Sequence, residues 1–191
     1  MRKGILATCV ATLVLAAPAS GEAQPPFARA YVGTATGTLR IPGRVDTWTV
    51  RGLTFKLQNA RFARGRWGGT YLVTGGRVTF TTTATGDCTG AKSGSFDLGR
   101  LSWDAAAISF LQNLRSPTYG YEARVAKEHP VPVGLSCAGA ARQDEVSPAG
   151  GLWLLSDFGA RFLPGKRIAG RHTESEPGRG TRTWTWNLVP R

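Results

Sequence analysis

The sequence is poor in the residues on which many enzymes depend. Its 191 residues include two histidines, His129 and His172, three cysteines and one methionine. The nucleophile patterns Gly-x-Ser-x-Gly and Ser-x-x-Lys are absent beyond residue 23, and so are the zinc motifs His-x-x-x-His and Cys-x-x-Cys. These absences argue against a serine or cysteine hydrolase. We expect no metal and no cofactor.

Long apolar runs are lacking as well. The run over residues 4–17, which follows two basic residues, is shorter than the roughly 18 to 20 residues of a transmembrane helix. A basic start, a short apolar run and small residues after it are typical of a secretory signal peptide. We expect cleavage after Ala23, with Ala19 as the alternative. The prediction is a signal peptide over 1–23 and one secreted domain over 24–191, extracellular or in the envelope space of a bacterium.

Acidic residues are scarce, with 12 Asp and Glu against 24 Lys and Arg. Loss of residues 1–23 removes Arg2, Lys3 and Glu22, so the net charge falls from +12 to +11. One explanation is a codon usage rich in G and C, which enriches Arg, Gly and Ala together. The other is a polyanionic partner. Nucleic acid is a poor candidate for a secreted chain without a recognisable binding module.

Two cysteines follow the predicted leader, Cys88 and Cys137. In an oxidising compartment an isolated pair is expected to form a disulfide. Closing a loop of about 50 residues stabilises a fold by roughly 4 kcal/mol on the chain-entropy model.

Short Thr-rich and alternating segments separated by glycines predict strands and turns. Residues 31–41 form one such segment, and in residues 46–57 the apolar phase slips at Gly52, which predicts a bulge. Gly75-Gly76 lies between two short strand-like segments and predicts a tight hairpin. Residues 119–125 alternate like a strand with one buried face. Residues 104–115 fit a short helix capped by Asp104, or a strand through Ile108 and Phe110.

The C-terminal residues predict a hairpin in a defined register. Pairing Ile168 with Leu188, Gly170 with Trp186, His172 with Trp184 and Glu174 with Arg182 places every apolar member on one face. Trp184 and Trp186 are therefore interpreted as core residues, with an exposed stacking platform as the alternative. Taken together, the segments predict an all-β protein, an antiparallel β-sandwich or barrel.

The binding candidate is the segment 59–67, between two predicted strands. Arg61, Arg64 and Arg66 alternate there with Phe62 and Trp67. Guanidinium groups bind phosphate or carboxylate, and aromatic rings stack on sugars, so this mixture suits an anionic polymer or lipid surface. The rings could equally anchor the segment to the core.

The function predicted first is a non-catalytic secreted β domain associated with an anionic component of the envelope or surroundings. A second hypothesis is a carboxylate-dependent hydrolase acting on carbohydrate or ester. Its acids would come from the pool Asp46, Asp87, Asp97, Asp157, Glu174 and Glu176. Alternation of His172, Glu174 and Glu176 also allows a metal site, although a solvated hairpin tip explains it more simply. A third hypothesis is a small-molecule binder with Trp48, Trp184 and Trp186 around an internal cavity.

Overall fold

The computed structural model describes residues 25–99, 106–112, 119–125, 130–146, 152–155, 165–178 and 180–191. The predicted signal peptide, His129 and Asp157 lie outside these residues. In the described ranges there are twelve strands and no helix. They are β1 Ala30–Ile41, β2 Arg44–Ala63, β3 Arg66–Ala84, β4 Cys88–Thr89, β5 Ala91–Asp97, β6 Ala106–Gln112, β7 Tyr119–Val125, β8 Val131–Cys137, β9 Ala140–Val146, β10 Leu152–Leu155, β11 Ile168–Glu176 and β12 Gly180–Pro190.

Two antiparallel sheets organise these strands. The main sheet has the order β10-β7-β6-β3-β2-β1-β12-β11, with β5 beside β3, and the small sheet has the order β4-β8-β9. The main sheet curls into a half-barrel, so that its edge strands β10 and β11 come into contact. The predicted all-β antiparallel class is confirmed. Of the two alternatives for residues 104–115, the structure shows the strand over residues 106–112, which pair with both β3 and β7, and the helix is wrong there.

The concave face of the main sheet carries the core, and we call it the inner face. Alternate residues of β1, β2, β3 and β12 point inward, as the pleat requires. Its largest fully buried side chains include Trp184, Tyr31, Tyr71, Phe55 and Leu53. The opposite face of the main sheet is turned away from this core and is rich in threonine, and we call it the outer face.

Aromatic rings on the inner face pack over glycines of neighbouring strands. A Cβ added at Gly37 would lie 2.2 Å from Cε2 of Trp48, and one at Gly170 would lie 2.4 Å from Cζ2 of Trp186. The glycines therefore supply the space that the indoles fill, a pairing known to stabilise sheets.

The predicted bulge at Gly52 is confirmed. The β2–β3 register shifts between Arg51 and Thr54, and Gly52 has a φ of 60°. The extra residue brings both halves of the apolar pattern onto the inner face. Its members are Trp48, Val50, Leu53 and Phe55, all buried, and Leu57, partly buried against the core.

The hairpin predicted at Gly75-Gly76 is wrong. Both glycines lie inside β3, which pairs with β6 through residues 68–72 and with β5 through residues 77–83. At these two glycines the strand beside β3 changes from β6 to β5. The bulge of β2 lies opposite them, on the other side of β3. Gly76 has a φ of 152°, and a Cβ there would lie only 3.1 Å from Leu98. Gly76 is therefore required for close packing at a bend of the sheet.

The C-terminal hairpin has the predicted register at all four pairs. Trp184 and Leu188 are fully buried, and Trp186 is 5% exposed. Nε1 of Trp186 donates a hydrogen bond of 3.0 Å to the Tyr121 hydroxyl of β7, on the far side of the half-barrel. Both indoles are core residues, and the stacking-platform alternative is wrong.

A disulfide lies within the small sheet, and a buried ion cluster fixes this sheet to the main sheet. The Cys88–Cys137 disulfide joins β4 to β8, as predicted. Nη1 of Arg44 in β2 lies 2.7 Å from Oδ2 of Asp144 in β9, and the Arg44 Nε lies 3.1 Å from Asp46. Asp144 also pairs with Arg142, so that its carboxylate bridges the two arginines.

Candidate anion-binding arm

The segment 59–67 is the tip of a hairpin that projects beyond the rest of the sheet. β1 pairs with β2 only as far as Lys56, and β6 pairs with β3 only from Gly68 onward. Among the described residues, residues 59–67, which we call the arm, thus pair only with each other and with residues 68–70 of β3. The expected loop is therefore two paired strands joined by a turn.

The turn of the arm is Arg64-Gly65. Both residues have positive φ, 51° for Arg64 and 73° for Gly65, as a two-residue type I′ hairpin requires. A non-glycine residue in this conformation is uncommon. Arg64 therefore lies in the turn at the tip of the hairpin.

The two faces of the arm carry different chemistry. Gly69 faces inward, because a Cβ there would lie 2.9 Å from the Phe27 ring. Trp67, two residues before it, shares that face, and so does Phe62, its register partner. Arg61 and Arg66 lie on the outer face. The alternation in the sequence thus separates the aromatic residues from the two arginines.

The aromatic pair fixes the arm to the body of the protein. Trp67 is partly buried against the core, and its backbone N–H donates to Oε1 of Gln112 at 3.1 Å. Phe62 packs on Trp67 with ring centroids 5.3 Å apart, yet 58% of its surface remains exposed. Trp67 therefore anchors the arm to the core, whereas Phe62 stays open to solvent.

The positive charge of the arm is not neutralised locally. No Asp or Glu occurs between Asp46 and Asp87, a stretch that includes the whole arm. Among the described residues, no carboxylate pairs with Arg61, Arg64 or Arg66. Their guanidinium groups are therefore free to bind an external anion.

The candidate His172, Glu174 and Glu176 site is not a metal centre in the part of the chain that is described. Those residues contain no group of three or more His, Cys, Asp or Glu side chains that could hold a metal ion. His172 stacks on Trp184, with ring centroids 6.0 Å apart. Glu174 and Glu176 line a crevice of about 10 Å³ together with Arg182, a volume that admits no more than a water molecule.

The other acids of the proposed hydrolase that the structure describes are dispersed. Asp97 forms an exposed ion pair with Arg77, and Asp87 lies exposed in the turn before β4. Asp46 is buried beside Arg44, and desolvation raises the pKa of its carboxyl even though the guanidinium acts in the opposite direction. An acid held in a buried ion cluster is not positioned to meet a substrate.

The three indoles proposed to line a ligand cavity are packed into the core. Nε1 of Trp48 and Nε1 of Trp184 are closed to solvent and have no hydrogen-bond partner. Because no water-sized space adjoins either nitrogen, a ligand cannot reach them in this conformation. Trp186, as noted above, bonds to Tyr121.

Comparison with protein-family models, with curated proteins and with solved structures found no match to this chain.

Proposed function

We propose that the protein is an exported, non-catalytic β domain that binds an anionic polymer of the bacterial envelope or surroundings through the arm. The observation that carries this proposal is a set of three guanidinium groups at the tip of a projecting hairpin that pair with no carboxylate among the described residues. Arginine binds phosphate, sulfate and carboxylate groups through paired, charge-assisted hydrogen bonds.

A polymer explains the arm better than a lipid surface does. A membrane-inserting tip would present its aromatic rings and its cations to the same bilayer. Here Phe62 and Trp67 face inward, whereas Arg61 and Arg66 continue the outer face of the sheet. A chain lying along the outer face would meet both arginines without contacting the rings.

The proposal is tested by retention on immobilised dextran sulfate, with uncharged dextran as the matched support. We expect the protein to bind only the sulfated support and to elute with salt. The variant Arg61→Gln/Arg64→Gln/Arg66→Gln should elute at clearly lower salt. A control that replaces Lys92, Lys166 and Arg191, three exposed cations elsewhere, by glutamine should elute closer to wild type. Equal elution of both variants would refute a role for the arm, and retention on anionic vesicles alone would replace the polymer by a membrane.

Export is tested separately by expressing the full chain in a bacterial host. The protein recovered outside the cytoplasm should begin at Gln24, or at Ser20 if cleavage follows Ala19. A product that stays in the cytoplasm with residues 1–23 intact would contradict the exported location.

A further inference from the structure

A basic cleft lies on the outer face, far from the arm. Its volume is about 170 Å³, and it is lined by Thr38, Arg40, Arg171, Thr181 and Thr183. Arg40 in β1 is the register partner of Thr181, whereas Arg171 in β11 is the partner of Thr185. The two arginines therefore flank β12 from opposite sides and line the same cleft.

Hydroxyl groups form the floor of this cleft. Thr183 shares a hydrogen bond of 3.2 Å with Thr173, and Thr181 shares one of 3.0 Å with Ser175. Each hydroxyl can donate one hydrogen bond and accept two, so both retain capacity for a ligand. Two guanidinium groups above three hydroxyls suit a tetrahedral oxyanion such as a sulfate or phosphate group.

The surrounding outer face is basic. The acidic residues of β11, β12, β1 and β2 are Asp46, Glu174 and Glu176, and the alternation of each strand places them on inward-facing positions. Glu176 lines a separate groove that adjoins the cleft at Thr181, and it marks the end of the basic surface. The outer-facing cations of these four strands are Arg171, Arg40, Arg51, Lys56 and, on the arm, Arg61.

The cleft and the arm lie on the same side of the sheet, connected by β2. Thr47 is the β2 partner of Thr38, and Arg61 follows 14 residues later. At about 3.3 Å per residue the separation is at most roughly 45 Å along the strand. Arg51 and Lys56 lie between the two sites, so a polymer could contact positive charge along the whole path.

We propose that the cleft is a second anion-binding site, which takes a sulfate or phosphate group of an extended polymer held at the same time by the arm. The inference rests on the proposed function and narrows the partner to a chain long enough to reach both sites. Joining two weak sites on one polymer raises the affinity by a factor of about 10² to 10⁴ over either site alone.

The test compares Kd values for size-fractionated dextran sulfate, with fragments shorter and longer than the span between the sites. For long chains, Arg40→Gln/Arg171→Gln should raise Kd by about tenfold or more. For short fragments the change should stay within about twofold, because each fragment occupies one site at a time. The matched control is Lys92→Gln/Lys166→Gln, which removes the same charge from β5 and from the turn before β11. Poly(glycerol phosphate) in place of dextran sulfate distinguishes a phosphodiester from a sulfate ester.

The outcomes separate the two proposals. If the cleft variant behaves like its control on both polymers at every length, the cleft is not a binding site, whatever the arm does. If the cleft variant loses affinity for long chains while the triple arm variant does not, the cleft stands and the arm proposal fails. Thermal unfolding of each variant confirms that it is folded, as expected for substitutions of exposed side chains.

Discussion

At the scale of single residues, Gly37 and Gly170 leave room for indole rings on the inner face, and Arg44 links the main sheet to the small sheet. Gly170 provides the space for the Trp186 ring, an arrangement that the sequence already suggested through the predicted pairing of these two residues. The role of Arg44 could not be predicted, because its partner Asp144 lies 100 residues away in the sequence. A long-range ion pair leaves no trace in local periodicity, whereas a hairpin pair does.

Substitution of Gly170 tests the packing of aromatic rings over glycine. Gly170→Ala should destabilise the fold by about 1 to 3 kcal/mol, because the new methyl group overlaps the Trp186 ring. Gly75→Ala is the control, since a Cβ there meets no atom within 4 Å. Denaturant unfolding measures both. Equal stability of the two variants would show that the indole moves aside without cost.

Substitution of Asp144 tests the buried ion cluster. Asp144→Asn leaves Arg44 with Asp46 as its remaining carboxylate and should cost about 3 to 5 kcal/mol, as is usual when one member of a buried charge pair is lost. Asp97→Asn breaks an exposed pair with Arg77 and should cost no more than about 1 kcal/mol. Similar losses from both substitutions would mean that the cluster does not stabilise the attachment of the small sheet.

At the scale of elements, periodicity predicted strands well and turns less well. The register of the C-terminal hairpin followed from its two-residue alternation, since a one-residue slip would expose Trp184 and Trp186. The turn between β2 and β3 was misplaced, because Gly75-Gly76 and Arg64-Gly65 both permit positive φ. Local sequence does not reveal which of the two pairs forms the turn and which lies inside β3, where the neighbouring strand changes from β6 to β5. The separation of arginines from aromatic residues could have been predicted from alternation once the arm was recognised as a hairpin.

The turn of the arm allows folding to be separated from binding. Asn-Gly is favoured over Arg-Gly in a type I′ turn, so Arg64→Asn should leave the melting temperature unchanged or raise it slightly. The same substitution removes one of the three guanidinium groups and should weaken binding to dextran sulfate. Calorimetry measures the first effect and titration the second. Weaker binding accompanied by a clearly lower melting temperature would mean that the arm had been disrupted.

At the scale of the whole molecule, the half-barrel buries all its tyrosines. The chain has four, Tyr31, Tyr71, Tyr119 and Tyr121, and burial raises the pKa of every one, that of Tyr31 to about 12. In the unfolded chain tyrosines ionise with a pKa near 10. Between these values the folded state retains protons that the unfolded state has lost, so stability falls as the pH rises.

Ultraviolet titration of phenolate checks this expectation. The native protein should show little tyrosine ionisation at a pH near 10, and phenolate should then appear cooperatively, together with unfolding. A free tyrosine mixture titrated in parallel provides the reference curve. If any one tyrosine of the folded protein ionised with a pKa near 10, the core around that tyrosine would be open to water.

The proposed binding surface is likewise a property of the whole molecule. Net charge and the cluster of arginines were visible in the sequence, but the outer face became apparent only when β1, β2, β11 and β12 were brought side by side. Arg40 and Arg171 are separated by 131 positions in the chain and line one cleft. No spacing rule connects them.

The most direct test of the account is the salt dependence of Kd for dextran sulfate, compared between wild type and Arg61→Gln/Arg64→Gln/Arg66→Gln. If each arm guanidinium displaces about one counterion from the polymer, the slope of log Kd against log salt concentration should fall by roughly two to three in the variant. An unchanged slope, with an unchanged Kd, would contradict the claim that the arm binds the anionic partner.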